Sequence, residues 1–294
     1  MQNYEENEIR YLTAFDDEFP DKLRFIPNAP DGIYVKGALP DPDKPSVAII
    51  GARDCSAYGA SMAKYFAESL SDAGVQIISG MARGIDGIAQ KAAVEAGHSS
   101  FGVLGSGIDV IYPKQNKDLF ERIVEKGGLI SEYPPSTQAI ARNFPLRNRI
   151  ISALSDVILV VESKIKSGTS ITVKRAIEQG KDVYAIPGRI SDPLSSGCLK
   201  LIEDGAGIAL APSSILGAMG IFDTEESEFK ISSKVPLSKK EARVYKVLDL
   251  YPRSLEELSN MSDLSLPDLI SVLLQLELKG VATEVGKNNY IKIL

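Results

Sequence analysis

Short runs of consecutive apolar residues alternate along this chain with longer stretches whose apolar residues recur every three or four positions. The runs at 47–50, 75–79, 101–104, 129–131, 157–161, 183–186 and 208–210 are dominated by Val, Ile and Leu. A strand buried on both faces reads this way, because neither side of its pleat meets water. The intervening stretches, such as residues 59–72 and the one ending at Ala96, carry helical spacing. The alternation predicts an open, doubly wound, mostly parallel α/β sheet of about seven strands joined by crossover helices. Such sheets bind ligands at the carboxyl ends of their strands.

The rhythm also sets boundaries. Residues 1–45 hold six prolines and a net charge of −5, with apolar pieces only as short as residues 32–36. They predict an irregular arm with a short strand, packed on the core at 46–217. Residues 218–237 carry four acids, several serines and no apolar period, the composition of a linker. Beyond it, helical spacing recurs at 239–250, 254–261 and 266–279, followed by a hairpin pattern at 281–285 and 290–293 with a polar turn between. Three short helices and a hairpin predict a small winged helix-turn-helix domain at 238–294. Its second motif helix offers only Gln275 and Lys279 to bases, beside Asp268 and Glu277, and the wing turn adds Lys287. That chemistry suits a protein-contact or weak accessory module better than a sequence-specific duplex reader.

Composition narrows the classes further. With 294 residues and 44% hydrophobic content the chain can bury a full core. No apolar run approaches the ~18 residues of a bilayer span, and the acidic start is unlike a secretory signal. Cys55 and Cys198 are far apart, which gives neither a disulfide framework nor metal spacing and suits a reducing cytoplasm. The net charge of −6 resides in the arm and linker, since 46–217 is +1 and 238–294 is 0. A polyanion would therefore be held by local clusters rather than by a protein-wide field.

Several predicted strands end in glycine before a helix start. Gly51, Gly80, Gly84, Gly105, Gly107 and Gly168 allow close backbone approach, and helix N–H groups favour an anion. With Ser79, Ser106, Ser167, Thr169 and Ser170 as hydroxyl donors they predict a phosphate-lined rim. Neither a dinucleotide fingerprint nor a Walker lysine motif is present, for the first strand is followed by Gly51-Ala-Arg53-Asp-Cys-Ser56. Arg53 and Arg83, just past strand ends, are placed to face that rim. On a helix opening near Pro145, Leu146, Ile150, Ile151 and Leu154 define a buried stripe that contains Arg147 and leaves Arg149 toward solvent. A buried Arg147 requires an anion, either a carboxylate such as Glu132 or Glu162 or a bound phosphate. Catalytic groups are sparse: His98 sits at a helix end, and Asp86 and Asp109 suit helix capping.

These residues resemble the DNA-processing protein A family, DprA or Smf, over about residues 15–215. The resemblance is carried by Ile50-Gly-Ala-Arg53, Ser79-Gly-Met-Ala-Arg-Gly-Ile-Asp86, Leu104-Gly-Ser-Gly-Ile-Asp109 with Tyr112-Pro113, and Glu132-Tyr-Pro134. Asn143-Phe-Pro-Leu-Arg-Asn-Arg-Ile-Ile151, Val161-Glu-Ser163, Ser167-Gly-Thr169 and Ala185-Ile-Pro-Gly188 carry it most strongly. It implies an extended Rossmann-like core in a dimeric cytoplasmic protein without enzymatic turnover or cofactor. It also implies a protein that binds single-stranded DNA and helps load the RecA recombinase during natural transformation. Its DNA contacts would include Gly51, Arg53, Ser79, Gly80, Arg83, Gly84, Ser106, Gly107, Phe144, Arg147, Asn148, Arg149, Ser167, Gly168 and Thr169, with Phe144 as a stacking platform. Leu199, Leu201, Ile202, Leu210 and Ile215 would supply a self-association patch. Two positions depart from the family pattern: Gln90 stands where a histidine is common, and Leu199 where asparagine is usual.

A competing reading is a nucleotide hydrolase of the lonely-guy type. That signature ends in a catalytic glutamate, and the nearest segment here, Ile165-Lys-Ser-Gly-Thr-Ser-Ile-Thr172, has Thr172 at that place and no Pro-Gly pair. Loss of an acid/base group costs such a reaction ~10²–10⁴-fold.

Overall fold

The computed structural model describes residues 8–221 and 236–293. The chain divides into two units, residues 1–227 and 228–294. Most of the linker expected at 218–237 lies outside the described residues.

In the first unit the strands are β1 (Ile9–Thr13), β2 (Gly32–Gly37), β3 (Ser46–Ile50), β4 (Gln76–Ser79), β5 (Ser100–Leu104), β6 (Gly128–Ser131), β7 (Val157–Val160), β8 (Asp182–Ala185) and β9 (Gly207–Ile208). The helices among them are α1 (Asp21–Arg24), α2 (Ala57–Asp72), α3 (Ile85–Glu95), α4 (Lys117–Lys126), α5 (Asn143–Leu154), α6 (Gly168–Glu178), α7 (Ser196–Glu203) and α8 (Pro212–Ala218). The strands form one sheet in the order β1-β2-β6-β5-β4-β3-β7-β8-β9. From β6 to β9 every pairing is parallel, while β1–β2 and β2–β6 are antiparallel. Every residue of β3 and β7 is buried, as the apolar runs require. The sheet is thus doubly wound and mostly parallel. Its order reverses between β3 and β7, because β4 follows on one side of β3 and β7 on the other.

The arm differs from the irregular segment expected. It supplies two strands that extend the sheet, with Tyr34 to Gly37 paired against Ser131 to Gly128. It also covers the outer face of α5. Arg149, expected toward solvent, is instead buried: it donates to the Asn28 carbonyl oxygen at 2.7 Å and to Glu132 at 2.5 Å. Leu146, expected in the buried stripe, is 53% exposed. The patch expected for self-association is smaller than supposed, since Ile215 is fully buried and Leu201 and Ile202 pack against the core.

The departure at Gln90 has a structural explanation. Its fully buried amide accepts from the Met81 N–H at 3.0 Å and donates to the Phe101 carbonyl oxygen at 3.0 Å, tying the loop after β4 to β5. Both ends of the amide are therefore satisfied within the core.

The second unit contains α9 (Lys239–Val247), β10 (Arg253–Ser254), α10 (Leu255–Ser262), α11 (Leu266–Leu278), β11 (Ala282–Gly286) and β12 (Asn289–Lys292). Its sheet order is β10-β12-β11, the outline of a winged helix. Ser238, Ser254 and Ser265 cap the three helices by accepting from the amides of Glu241, Glu257 and Asp268. Leu258, Leu269, Leu273 and Leu276 are among its buried side chains.

Candidate functional site

At the reversal between β3 and β7, the carboxyl ends of the strands open into a cleft of about 540 Å³. The turn after β3 supplies Gly51, Ala52 and Arg53, and the segment after β7 supplies Ser163 and Lys164. The first turns of α5 and α6 face the same space through Phe144, Arg147 and Asn148 and through Gly168 and Thr169. Ser167, just before α6, does not cap it; its Oγ lies 2.8 Å from that of Ser163, leaving the early amides of α6 directed at the cleft.

Phe144 is half-buried at the mouth. The Arg53 guanidinium stands 5.4 Å from its ring centroid and that of Arg147 5.8 Å, while the Tyr112 ring lies 5.5 Å away. The ring fits because Gly105 has no side chain; a Cβ there would come within 2.8 Å of Phe144 Cδ1. An aromatic face held beside two cations suits a base–phosphate unit.

Arg147 is 4% exposed. It donates to the carbonyl oxygens of Gly80, at 2.9 Å, and of Val103, and to Asn148 Oδ1 at 3.2 Å. Neither Glu132 nor Glu162 is its partner. The nearby acid is Asp86, whose carboxylate accepts from the Gly80 N–H at 3.2 Å. Burial lowers the Arg147 pKa to about 10 against the opposing pull of Asp86, so it stays charged at neutral pH. Burial raises the Asp86 pKa, and Arg147 opposes that shift. A Cβ on Gly80 would lie 2.7 Å from both groups, so only glycine fits between them.

Glu162 lies two residues past the end of β7 and is 1% exposed. It accepts from the Ser56 N–H at 2.9 Å and from the Ser56 hydroxyl, and a Cβ at Gly59 would collide with its carboxylate. Burial raises its pKa despite these bonds. Glu162 thereby fixes the turn after β3 that carries Arg53.

Of the residues expected at the site, Gly51, Arg53, Phe144, Arg147, Asn148, Ser167, Gly168 and Thr169 line the cleft. The others stand apart from it. Ser79 is fully buried and donates to the Ile49 carbonyl oxygen at 2.6 Å. Ser106 is 3% exposed, and Gly107 donates to the Thr137 carbonyl oxygen at 2.8 Å. Gly84, at φ 78°, starts α3 beneath the carbonyls of Ala52 and Arg53, where a Cβ would collide. Gly80 lies between Arg147 and Asp86, and Arg149 is spent on Glu132. Arg83 does not line the cleft itself but pairs at 2.7 Å with Asp54, which does. Tyr112, Lys164 and Asp86 line the cleft without having been singled out as contacts. Lys164 directly follows the Val161-Glu-Ser163 segment, and that adjacency was the available signal.

A larger cavity, about 820 Å³, lies at the opposite edge of the sheet, near the starts of β3 and β6. Acids outnumber bases along its lining, with Glu8, Asp17, Glu18, Asp21, Asp41 and Glu125 facing Arg10, Lys22 and Lys126. That balance suits an anion poorly, so the smaller cleft at the strand reversal is the better anion site. Among the described residues no group of three or more His, Cys, Asp or Glu could hold a metal, and no helix is long and apolar enough to cross a membrane.

The family model of DNA recombination-mediator protein A matches residues 10–220, and that of the DprA winged helix domain matches residues 231–286. Protein Smf of Escherichia coli is 35% identical over 277 residues, covering 92% of this chain and 74% of the relative. The X-ray structure of DNA processing protein A from Streptococcus pneumoniae superposes with a TM-score of 0.68 at 40% identity, covering 71% of this chain and 74% of that one. DNA processing protein A from Helicobacter pylori, described for its single-stranded DNA binding mode, gives 0.65 at 28% identity over 72% of this chain and 96% of that one.

Proposed function

Because this chain belongs to the DNA recombination-mediator protein A family, we propose that its cleft grips single-stranded DNA through phosphates, with little sequence preference. The family consists of recombination mediators, not enzymes. The observation that carries the reading is Phe144, held at the mouth beside Arg53 and Arg147 and opposite the first turn of α6. A base stacks on the ring while its phosphates meet guanidinium and amide donors. The Helicobacter pylori relative, whose binding of single-stranded DNA is named, supports the same ligand here.

Bound strands are then handed to the RecA recombinase in the cytoplasm, as in natural transformation. Two copies pair along the short edge strand β9, where Ile208 is 48% and Leu210 71% exposed. At the place where the hydrolase signature needs a glutamate, Thr172 forms part of the cleft wall. The deciding experiment is a titration with single- and double-stranded oligonucleotides at two salt concentrations. Single strands bind more tightly, and log affinity falls with log salt by about 0.7 per phosphate neutralised. Salt-independent binding, or release of free base from nucleoside monophosphates, overturns the proposal.

A further inference from the structure

Polar side chains in the cleft wall are left unused by the fold. Thr169 and Thr172 are 8% and 3% exposed, and among the described residues neither hydroxyl meets a hydrogen-bond partner. Neither is sealed in the interior, for the enclosed side-chain atoms without a partner are Ser71 Oγ and Gln179 Oε1. Both threonine hydroxyls therefore open onto the cleft they line. Asn148 accepts the Arg147 Nε–H through Oδ1 at 3.2 Å, which leaves its buried amide nitrogen, in the same lining, without an acceptor. Buried polar groups are nearly always paired, so donors left open together in one cleft point to a ligand that accepts from them.

The same wall holds the start of α6. Ser167 does not cap it, and the amides of its first turn meet no side-chain acceptor. A Cβ on Gly168 would meet nothing within 4 Å, so packing does not demand the glycine, and its bare backbone admits close approach by an anion. The acids of the lining are engaged elsewhere: Asp54 pairs with Arg83 at 2.7 Å, and Asp86 accepts from the Gly80 N–H at 3.2 Å beside Arg147. An internal phosphodiester offers such a donor set two free oxygens. A phosphomonoester offers three, with greater charge. The cleft volume of about 540 Å³ also falls in the range that encloses one small ligand, about 300–1,000 Å³, rather than a run of strand.

We propose that the cleft receives a single nucleotide carrying a terminal phosphate, the base on Phe144 and the phosphate on the first turn of α6 with the Thr169 hydroxyl. The Thr172 hydroxyl and the Asn148 amide supply further donors. Free nucleoside monophosphates then compete with single strands for the site. That competition rests on the cleft being the DNA site; the nucleotide site itself is read separately, by calorimetry. No bond is broken in the bound nucleotide, because Thr172 presents a hydroxyl where hydrolysis would need a carboxylate.

The test uses the full chain and AMP. Rising AMP displaces a labelled oligonucleotide that has a hydroxyl at each end, while adenosine and inorganic phosphate at the same concentrations do not. Calorimetry reads AMP binding directly, with no DNA present. Thr169→Val and Gly168→Ala each weaken AMP binding by about tenfold or more. Both keep the wild-type thermal transition, since one is isosteric and the other adds a methyl in open space. Oligonucleotides phosphorylated at one end or the other separate the second source of the same chemistry. Tighter binding than the hydroxyl-ended strand, lost in Thr169→Val, puts a strand end in the cleft. If AMP neither binds nor displaces, and phosphorylated and hydroxyl ends bind equally, the proposal is overturned while the DNA reading stands. Displacement by inorganic phosphate as effective as that by AMP also overturns it, leaving an anion site only. AMP binding by a chain that takes no oligonucleotide supports the nucleotide site and removes the DNA reading instead.

Discussion

The cleft at the β3–β7 reversal and the outer face of α11 belong to segments of almost equal net charge, +1 over 46–217 and 0 over 238–294. Yet one sets Arg53 and Arg147 beside an aromatic ring, with Lys164 in the same lining, while the other presents four aliphatic side chains, Leu266, Ile270, Leu274 and Leu278. Net charge does not distinguish them. The difference arises from which groups are already engaged within the fold. In the second unit Lys240, Lys279 and Arg243 are tied to Asp268, Glu241 and Asp263. In the cleft Arg53 stays exposed, and Arg147 is satisfied by backbone carbonyls that leave its charge in place.

The largest effect expected on this contrast comes from Arg147→Ala. It leaves Asp86 buried without its opposing charge and two carbonyls unpaired, so stability falls by about 3–5 kcal/mol in chemical denaturation. A loss below 1 kcal/mol would mean that the guanidinium serves only the ligand. Arg149→Ala sharpens the comparison. It removes the partner of Glu132 and destabilises by an estimated ~1–3 kcal/mol, yet it leaves the salt slope of DNA binding unchanged, because Arg149 lies outside the cleft. A flattened slope would return Arg149 to the interface.

Phe144→Ala and Arg53→Ala act on affinity rather than on the fold. Loss of one stacked base weakens oligonucleotide binding by about 1–3 kcal/mol. Arg53→Ala flattens the log–log salt slope by about 0.7. Fluorescence anisotropy on oligonucleotides of differing sequence checks both, and an effect confined to one sequence contradicts phosphate gripping. The smallest effect concerns Glu162. Its folded pKa is raised, so between the ordinary carboxylate range and that raised value the folded state binds more protons than the unfolded state. Stability therefore falls as pH rises through this window. Glu162→Gln keeps an acceptor for Ser56 and flattens the decline; an unaltered pH profile would show that Glu162 does not carry it.

How much of this was legible in the chain varies by segment. The central strands were plain, because β3 and β7 are buried on both faces and need no polar alternation. The cleft-facing turn of α5 was plain as well, since Phe144, Arg147 and Asn148 sit together at a helix start. Arg149 was not, because its burial depends on Asn28, 121 residues away, closing over α5. Nor was the arm, whose strands exist through pairing with β6 rather than through their own apolar pattern. Ser79 looked like a rim donor, but its side chain turns beneath the sheet edge to Ile49. A short-range pattern names the element; what covers its outer face is decided elsewhere in the chain.

Arg147 joins α5 to the ends of two strands through bonds that span 67 and 44 residues of sequence. Contacts of such separation close only after much of the chain has been ordered. A clamp of that span is expected to close late, so Arg147→Ala should speed unfolding more than it slows refolding in stopped-flow measurements; equal changes in both rates would place it in the folding nucleus.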